Sequence, residues 1–260
     1  MSNSILSEVV DGIYLITLNR PEKKNAFTQA MYRQLKQEFI AAAENPSVRV
    51  LLLRGAGGVF SAGNDMNDFS SRPVEGAAVT DTPATQLMKI WIAMEKPVIA
   101  AVSGFAVGIG ATCLPHCDLV IAARSTVFRL PFNSLGLVPE FGSTLTLLSA
   151  AGRVKASHYL LTGDKFDAQV ASELGLVSQV CDDDQLEDLA LQTCQRLAAL
   201  SPAALRATKK LINSSAYQQQ MLAVIENEMV LFRQGRESAE HKEAVAAFIE
   251  KRPADFSPFE

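Results

Sequence analysis

The chain contains few cysteines, and its acidic and basic residues nearly balance. The 260 residues include four cysteines at irregular spacing, which indicates that no disulfide framework holds the fold together. Cys113, His116 and Cys117 lie close in sequence, but no second cluster completes a tetrahedral zinc site, so we expect buried thiols and no metal. The net charge of −4 gives no general attraction to nucleic acid or to an anionic membrane surface.

Long apolar runs are missing as well. No run approaches the roughly 20 residues that cross a bilayer, and the N-terminal sequence MSNSILSEVV has neither the basic stretch nor the apolar core of a secretory signal. The C-terminal sequence SPFE lacks a peroxisomal address of the Ser-Lys-Leu type. The content of 48% hydrophobic and 20% charged residues is that of a globular protein. We therefore expect a cytoplasmic protein without a membrane partner.

One stretch, residues 97–118, combines a buried strand, a glycine-rich turn and the start of a helix. The apolar run at 98–102 predicts the strand, and Gly108 and Gly110 allow a tight turn into a helix. Such a turn leaves backbone N–H groups unpaired, and these favour negative charge on a bound oxygen, either of a phosphate or of an enolate. From these glycines alone, close packing of strand and helix is an equally good explanation.

A second stretch repeats this arrangement and makes the pattern specific. The apolar run at 50–54 leads into another small-residue turn at 55–65, so two neighbouring turns can offer two N–H donors to one oxygen. The motifs FSAGNDM at 60–66 and AVSGFAVGIGATCLPHCDLVIAA at 101–123 resemble those of the enoyl-CoA hydratase/isomerase (crotonase) superfamily. NRPEKKNAF near the start and GLVPEFGST at 136–144 support the resemblance, which covers nearly the whole chain.

The resemblance implies an α/β fold, a crotonase-like spiral of ββα units. Its core, residues 1–200, carries the coenzyme A and catalytic site, and residues 201–260 form a C-terminal helical region that packs against neighbouring subunits in a homotrimer or a hexamer. The residues agree, since strands alternate with helices up to about residue 200 and no strand pattern follows Ser201-Pro202. The implied partner is an acyl-CoA thioester. Coenzyme A is then part of the substrate, no separate cofactor is implied, and nothing favours a nucleic-acid partner.

The implied binding residues follow from the same motifs. The backbone N–H groups of Asn64 and Ile109 match the two donors that stabilise a thioester enolate, although many relatives carry glycine at the position of Ile109. Lys23 and Lys24 match a loop that lies against the adenosine end of coenzyme A; a solvated connector is the alternative for this loop. The full implied set is Lys23, Lys24, Ala62, Gly63, Asn64, Asp65, Met66, Gly108 and Ile109.

The carboxylates decide the reaction. Hydratases of this superfamily use two glutamates, and the matching positions here are Thr112 and Phe132, neither of which can do acid–base work. Glu140 instead resembles the single glutamate of the Δ3-Δ2-enoyl-CoA isomerase branch, which takes a proton from C2 and returns one to C4. The apolar residues around it in sequence are expected to raise the pKa of Glu140 towards neutrality. The sequence therefore predicts an enoyl-CoA isomerase.

Two alternatives stay open at this point. One is a hydratase or another acyl-CoA lyase that uses Glu140 or Asp65 with a bound water. The other is a non-catalytic acyl-CoA-binding protein. Acyl specificity is expected to depend on an irregular segment at 67–85 and on the following helix, while Lys251 and Arg252 are either solvated or in contact with the phosphates of coenzyme A.

Overall fold

Nine strands occur in the part of the chain that the computed structural model describes, residues 3–66 and 81–259. Their bounds are Ile5–Val10 (β1), Ile13–Leu18 (β2), Val50–Gly55 (β3), Val98–Val102 (β4), Phe105–Val107 (β5), Leu119–Ala123 (β6), Val127–Arg129 (β7), Lys165–Asp167 (β8) and Gln179–Cys181 (β9). Six strands form a large sheet in the order β1-β2-β3-β4-β6-β9. The other three form a small sheet in the order β5-β7-β8.

The large sheet is parallel except for its first hairpin. β1 and β2 pair antiparallel through Asp11-Gly12, whose φ angles of 51° and 79° suit a two-residue turn between strands. From β2 to β9 the neighbours run parallel. In a parallel sheet the carboxyl ends of adjacent strands lie at the same edge. The turns that follow β3 and β4 therefore meet there, as the paired sequence motifs predict.

The described residues also form ten α-helices, which cover the sheets and extend the chain beyond them. Their bounds are Gln29–Glu44 (α1), Pro83–Ile92 (α2), Ile109–Thr112 (α3), Ser143–Ala151 (α4), Arg153–Thr162 (α5), Ala168–Glu173 (α6), Leu186–Ala198 (α7), Pro202–Ile212 (α8), Ser215–Glu237 (α9) and Ala239–Glu250 (α10). No helix in this part of the chain is long and apolar enough to cross a membrane.

The large sheet separates two apolar clusters. Along β3, Leu51 and Leu53 pack into the larger cluster, while Leu52 packs into the smaller one, because successive strand side chains point to opposite faces. α1 and α2 cover the larger side, where the rings of Phe39 and Trp91 lie 4.6 Å apart between centroids. α7 covers the other side. Every residue of β4 is buried, so the strand that leads into the site is held rigidly.

The predicted α/β class is confirmed, with local differences. The helix expected after the irregular segment begins at Pro83, inside the range given for that segment, since Thr82 and Thr85 form a reciprocal cap before it. β8 has no counterpart among the predicted elements, because three residues carry too little alternation to be seen. The irregular segment predicted for 67–85 lies, for residues 67–80, outside the described residues. The division at residue 200 and the trimer or hexamer stay predictions.

Candidate active site

The turns that follow β3 and β4 are joined by backbone hydrogen bonds. The Ser61 N–H donates to the Phe105 carbonyl at 2.8 Å, and the Val107 N–H donates to the Ser61 carbonyl at 3.0 Å. Next to this bridge, Gly63 has a φ of +94°, and a Cβ there would lie 2.9 Å from the Val107 carbonyl oxygen. A glycine is therefore needed for the two turns to approach this closely.

Two backbone N–H groups are left unpaired where these turns meet. Gly108, with φ 54° and ψ −122°, turns the chain so that Ile109 opens α3, and the Gly108 carbonyl accepts from Ala111 and Thr112. The segment before Asp65 pairs with Phe27, which bonds to the residues on either side of Asn64. Within the described residues, the N–H groups of Asn64 and Ile109 have no hydrogen-bond partner. Both residues border the same cavity, so the two predicted donors share one space.

Side chains that sequence reasoning missed hold the first turn in place. The Tyr32 hydroxyl donates to Asn64 Oδ1 at 2.7 Å. Arg20 lies 3.0 Å from the Asp65 carboxylate and donates to the Ala26 carbonyl at 2.6 Å. These two donors precede their partners by 32 and 45 residues, and no local sequence signal links them to the motif. The Asp65 carboxylate is thus bound to a cation, which argues against its use as the free base of a hydration reaction.

The cavity in front of the two donors has a volume of about 640 Å³, within the range of small-molecule sites. The loops after the strands form one side of it, and the C-terminal helices α9 and α10 contribute Phe232 and Phe248 to the other. Three cations border it, Lys23, Arg129 and Arg252, of which Arg252 is paired with Glu243 and Glu250. This contribution of the C-terminal helices was not part of the sequence prediction of binding residues, apart from the open question on Arg252.

Most of the predicted binding residues line this cavity. They are Lys23, Ala62, Gly63, Asn64, Asp65, Met66, Gly108 and Ile109. Lys24 is not part of the lining; its ammonium group lies 5.2 Å from the centroid of the Phe105 ring instead. The structure therefore separates two neighbouring lysines that the motif treats alike.

Glu140 lies in the turn before α4 and is 3% exposed. The pKa of its carboxyl group is raised to about 8, chiefly by burial. A hydrogen bond from Thr112 opposes this shift, and the nearby Glu228 carboxylate adds to it. The raised pKa agrees with the expectation drawn from the apolar neighbours. Glu140 is not part of the cavity lining described above, whereas Leu137, three residues earlier, is.

Thr112 connects Glu140 to the oxyanion donors. Its hydroxyl donates to Glu140 Oε1 at 2.5 Å, and it ends α3, the helix that Ile109 begins. At about 1.5 Å per residue, Thr112 lies roughly 4.5 Å beyond Ile109 along the helix axis. One short helix thus links the Ile109 N–H to the carboxyl group of Glu140. The sequence identified Thr112 only as a departure from the hydratase pattern.

Phe132, the other departure from the hydratase pattern, lines the cavity and is 4% exposed.

The described residues contain no cluster of three or more His, Cys, Asp or Glu side chains suited to a metal ion. The four cysteines are free thiols. Two backbone donors and a buried carboxyl group are the arrangement that stabilises an enolate and moves a proton at its carbon.

Known proteins that are similar to this chain include enzymes that act on CoA thioesters. Residues 8–258 match the family model described as Enoyl-CoA hydratase/isomerase. A 1,2-epoxyphenylacetyl-CoA isomerase from Escherichia coli (strain K12) is 38% identical over 99% of both chains. A 2,3-dehydroadipyl-CoA hydratase from the same organism is 36% identical over 98% of this chain and 99% of the relative. The crystal structure of an enoyl-CoA hydratase/isomerase from Pseudoalteromonas atlantica T6c is similar with a TM-score of 0.91, at 36% identity over 98% of this chain and 100% of that one.

This chain belongs to the enoyl-CoA hydratase/isomerase family and has the crotonase fold. It is an acyl-CoA-processing enzyme of that superfamily, in which both isomerases and hydratases occur.

Proposed function

We propose that this enzyme moves the double bond of a 3-enoyl-CoA to the 2-position. Glu140 serves as the proton shuttle, and the N–H groups of Asn64 and Ile109 stabilise the enolate oxygen. The substrate is an acyl-CoA thioester, so that coenzyme A enters and leaves with the acyl group and no separate cofactor takes part.

One observation carries this proposal: of the three positions that match catalytic glutamates of the superfamily, only Glu140 carries a carboxyl group. The positions that match the hydratase glutamates are Thr112, which donates a hydrogen bond to Glu140, and Phe132, which is apolar. Water addition needs one group to activate the water and another to handle the proton at carbon. Isomerisation needs only one base, because the proton that it removes is returned to the same molecule.

The proposed reaction has two proton-transfer steps. The Glu140 carboxylate removes a proton from C2, and the electron pair of that C–H bond forms the C1=C2 bond while the thioester oxygen becomes negative. Asn64 and Ile109 donate to this oxygen; a single such donor typically contributes about 3–4 kcal/mol to the transition state. When the oxygen regains its double bond, C2=C3 forms, C3=C4 breaks, and C4 takes the proton from Glu140. Atoms and charge balance over the two steps.

A hydratase is the second candidate, favoured by the 36% identity to a 2,3-dehydroadipyl-CoA hydratase. Its second carboxylate would have to be Asp65, which borders the cavity. The ion pair between Asp65 and Arg20 is the reason that we prefer the isomerase.

The proposal extends to the assembly. The C-terminal helices expose large apolar side chains, namely Leu211, Ile212, Phe248 and Ile249, and we infer that neighbouring subunits of a homotrimer or hexamer cover them. A cytoplasmic location stays a prediction of the sequence.

Two substrates test the reaction on the purified protein. A 3-enoyl-CoA is followed for the appearance of a conjugated thioester, and crotonyl-CoA is followed for the loss of one. We expect conjugation to appear on the first and little loss on the second. Rapid loss on the second would establish the hydratase instead, and thioester binding without turnover of either would indicate a non-catalytic binder.

Glu140→Gln is the matching variant. It keeps the size of the side chain and removes the proton shuttle, so we expect turnover to fall by about 10²–10⁴-fold with little change in thioester affinity. Glu226→Gln, which removes a carboxylate from an exposed position on α9, is the control. Full activity of Glu140→Gln would contradict the proposal.

A further inference from the structure

One peptide unit near Glu140 is held at both ends by ionisable side chains, the buried Glu228 and the half-buried His116. The Phe141 carbonyl faces His116 Nε2 at 2.7 Å, and the Gly142 N–H donates to Glu228 Oε2 at 2.6 Å. These are the two polar groups of a single peptide, the one that joins the two residues after Glu140. His116 comes from the segment after α3, and Glu228 comes from the middle of α9. Two distant parts of the chain therefore converge on this peptide.

The conformation of this turn needs such support. Phe141 has a φ of +59°, which side-chain-bearing residues rarely adopt, and Gly142 follows with +70°. A Cβ at Gly142 would lie 2.1 Å from Met221 Sδ, so α9 is packed directly against the turn. A non-glycine residue in this region persists when its surroundings determine its conformation, and such residues concentrate at functional sites.

Glu228 is 6% exposed, and its hydrogen bonds go to this turn. Besides the Gly142 N–H, it accepts from the Thr144 N–H at 3.0 Å and from the Thr144 hydroxyl at 2.6 Å. A carboxylate is costly to bury unless several donors compensate it. The three donors all belong to the segment that follows Glu140, at the start of α4.

His116 completes the arrangement from the opposite side. Burial lowers the pKa of His116 to about 4, so the ring is neutral at pH 7, and since its partner is a carbonyl, Nε2 carries the proton. Its ring also stacks on the Phe141 ring with 4.1 Å between centroids and 18° between planes. The ring thus fixes both the backbone and the side chain of the residue after Glu140.

We propose that Glu228 and His116 are positioning residues, which hold the Phe141–Gly142 peptide and thereby keep the Glu140 carboxyl group at Thr112 and within reach of the substrate. The inference rests on the proposed role of Glu140. It assigns a catalytic consequence to two side chains that have no contact with the substrate cavity.

The titratable groups that face Glu140 come from two elements. Glu228 lies on α9, and Cys113 and His116 lie in the segment after α3; the buried Cys113 thiol has a pKa well above its ordinary value and stays neutral. Glu228 is therefore the neighbour whose charge acts on Glu140. Its removal should lower the pKa of Glu140 while loosening the turn, two effects that can be measured separately.

The test follows exchange of the C2 protons of a saturated acyl-CoA in deuterated water. This exchange needs the base and the oxyanion donors but no double-bond shift, so it reports on the turn whichever overall reaction the enzyme performs. For Glu228→Gln we expect a plateau rate at high pH that is lower by at least about tenfold, a KM within about twofold of wild type, and an apparent pKa below that of wild type. Glu226→Gln, exposed on the same helix, should leave rate and pKa unchanged.

Thr144→Val is a second test variant, chosen because it should disturb the fold less than Glu228→Gln. Thr144→Val removes one of the three donors to Glu228 and keeps the shape, so a smaller decrease in the plateau rate is expected. His116→Gln retains an N–H donor and should keep more exchange than His116→Leu. Circular dichroism and thermal melting establish that each variant is folded.

The outcomes separate the inference from the function on which it rests. If wild type and Glu140→Gln exchange C2 protons equally, Glu140 is not the base and the proposed function fails. If Glu140→Gln is inactive while folded Glu228→Gln and Thr144→Val match wild type in plateau rate and apparent pKa, the positioning role is wrong. Loss of exchange in Glu228→Gln with an unchanged apparent pKa and a proportionate rise in KM would also overturn it.

Discussion

Backbone groups form one half of the candidate active site, and side chains form the other half. The oxyanion half consists of backbone: two glycine-rich turns at the carboxyl ends of adjacent parallel strands, with the N–H groups of Asn64 and Ile109 left unpaired. The Glu140 half consists of side chains: a buried carboxyl group, a hydroxyl donor on Thr112 and a turn held by His116 and Glu228. The first half depends on conformation, and the second depends on the chemistry of particular side chains.

This difference teaches which substitutions each half tolerates. In the oxyanion half, the side chain at position 109 can change without loss of the donor, because every non-proline residue carries an N–H. In the Glu140 half, a change of side chain at Thr112 or Phe132 changes which groups can accept or donate a proton. Diversity of reaction is therefore expected to come from the side-chain half, while the backbone half stays constant in its role.

The comparison of Gly108→Ala with Ile109→Gly tests the backbone half, and apart from Glu140→Gln it has the largest expected effect. At Gly108 the obstacle is conformation and not space, since φ 54° with ψ −122° is open only to glycine, whereas the nearest heavy atom to a Cβ is Gly63 Cα at 3.9 Å. We expect turnover of the 3-enoyl-CoA to fall by about 10²–10³-fold in Gly108→Ala, as for loss of an oxyanion donor.

Ile109→Gly is the matched control for that variant. It removes a whole side chain but keeps the N–H donor, and we expect turnover within about tenfold of wild type, well above that of the alanine variant. Steady-state kinetics of both folded variants decide the matter. Equal losses in the two would mean that the site depends on the Ile109 side chain and that the contrast between the halves is false.

The pH dependence of kcat/KM tests the side-chain half. Because the pKa of Glu140 is raised to about 8, the free enzyme holds this group mostly protonated at pH 7, and kcat/KM should rise with pH until a plateau above about pH 8. Thr112→Val removes the hydrogen bond that lowers this pKa, so its profile should shift to higher pH and its activity at pH 7 should fall by about tenfold. A profile that is flat between pH 6 and 9 would contradict the assignment.

The same shift has a consequence for stability, with a definite sign. Below the ordinary value of 4.5, Glu140 is protonated in both the folded and the unfolded chain. Between there and about pH 8 the unfolded chain binds fewer protons than the folded one, so the free energy of unfolding decreases as pH rises. Denaturant titrations at several pH values should show a steeper decrease for wild type than for Glu140→Gln. An identical pH dependence for the two would argue against the raised pKa.

The smallest effect concerns two adjacent lysines. Lys23 borders the cavity, whereas Lys24 lies over the Phe105 ring. For Lys23→Ala we expect KM for the acyl-CoA to increase by about two- to fivefold, the range for one exposed charge, and to increase less at high salt. Lys24→Ala should leave KM unchanged. A larger increase in KM for Lys24→Ala than for Lys23→Ala would place the coenzyme A phosphates on the Lys24 side.

The fold could be predicted further from the sequence than the site. Alternating apolar strands and helices, together with the motifs, predict the α/β class and both oxyanion turns. Each turn follows an apolar run, 50–53 or 98–102, and a glycine lies two residues after each run, at Gly55 or Gly104. The three-residue strand β8 escapes this reasoning, since so short a segment has no periodicity of its own and exists only through its pairing with β7.

What the sequence by itself determined is the backbone half: strand, glycine and helix start are consecutive, so their spacing alone specifies where the N–H donors arise. Only the tertiary structure decided the side-chain half. It brings Thr112 onto Glu140 across 28 positions and Glu228 onto Gly142 across 86, contacts between distant segments that no local pattern records. It also separates Lys23 from Lys24, because adjacent side chains on a short turn point in different directions. Local geometry can be inferred from neighbours in the chain, whereas the environment of a buried charge depends on everything packed around it.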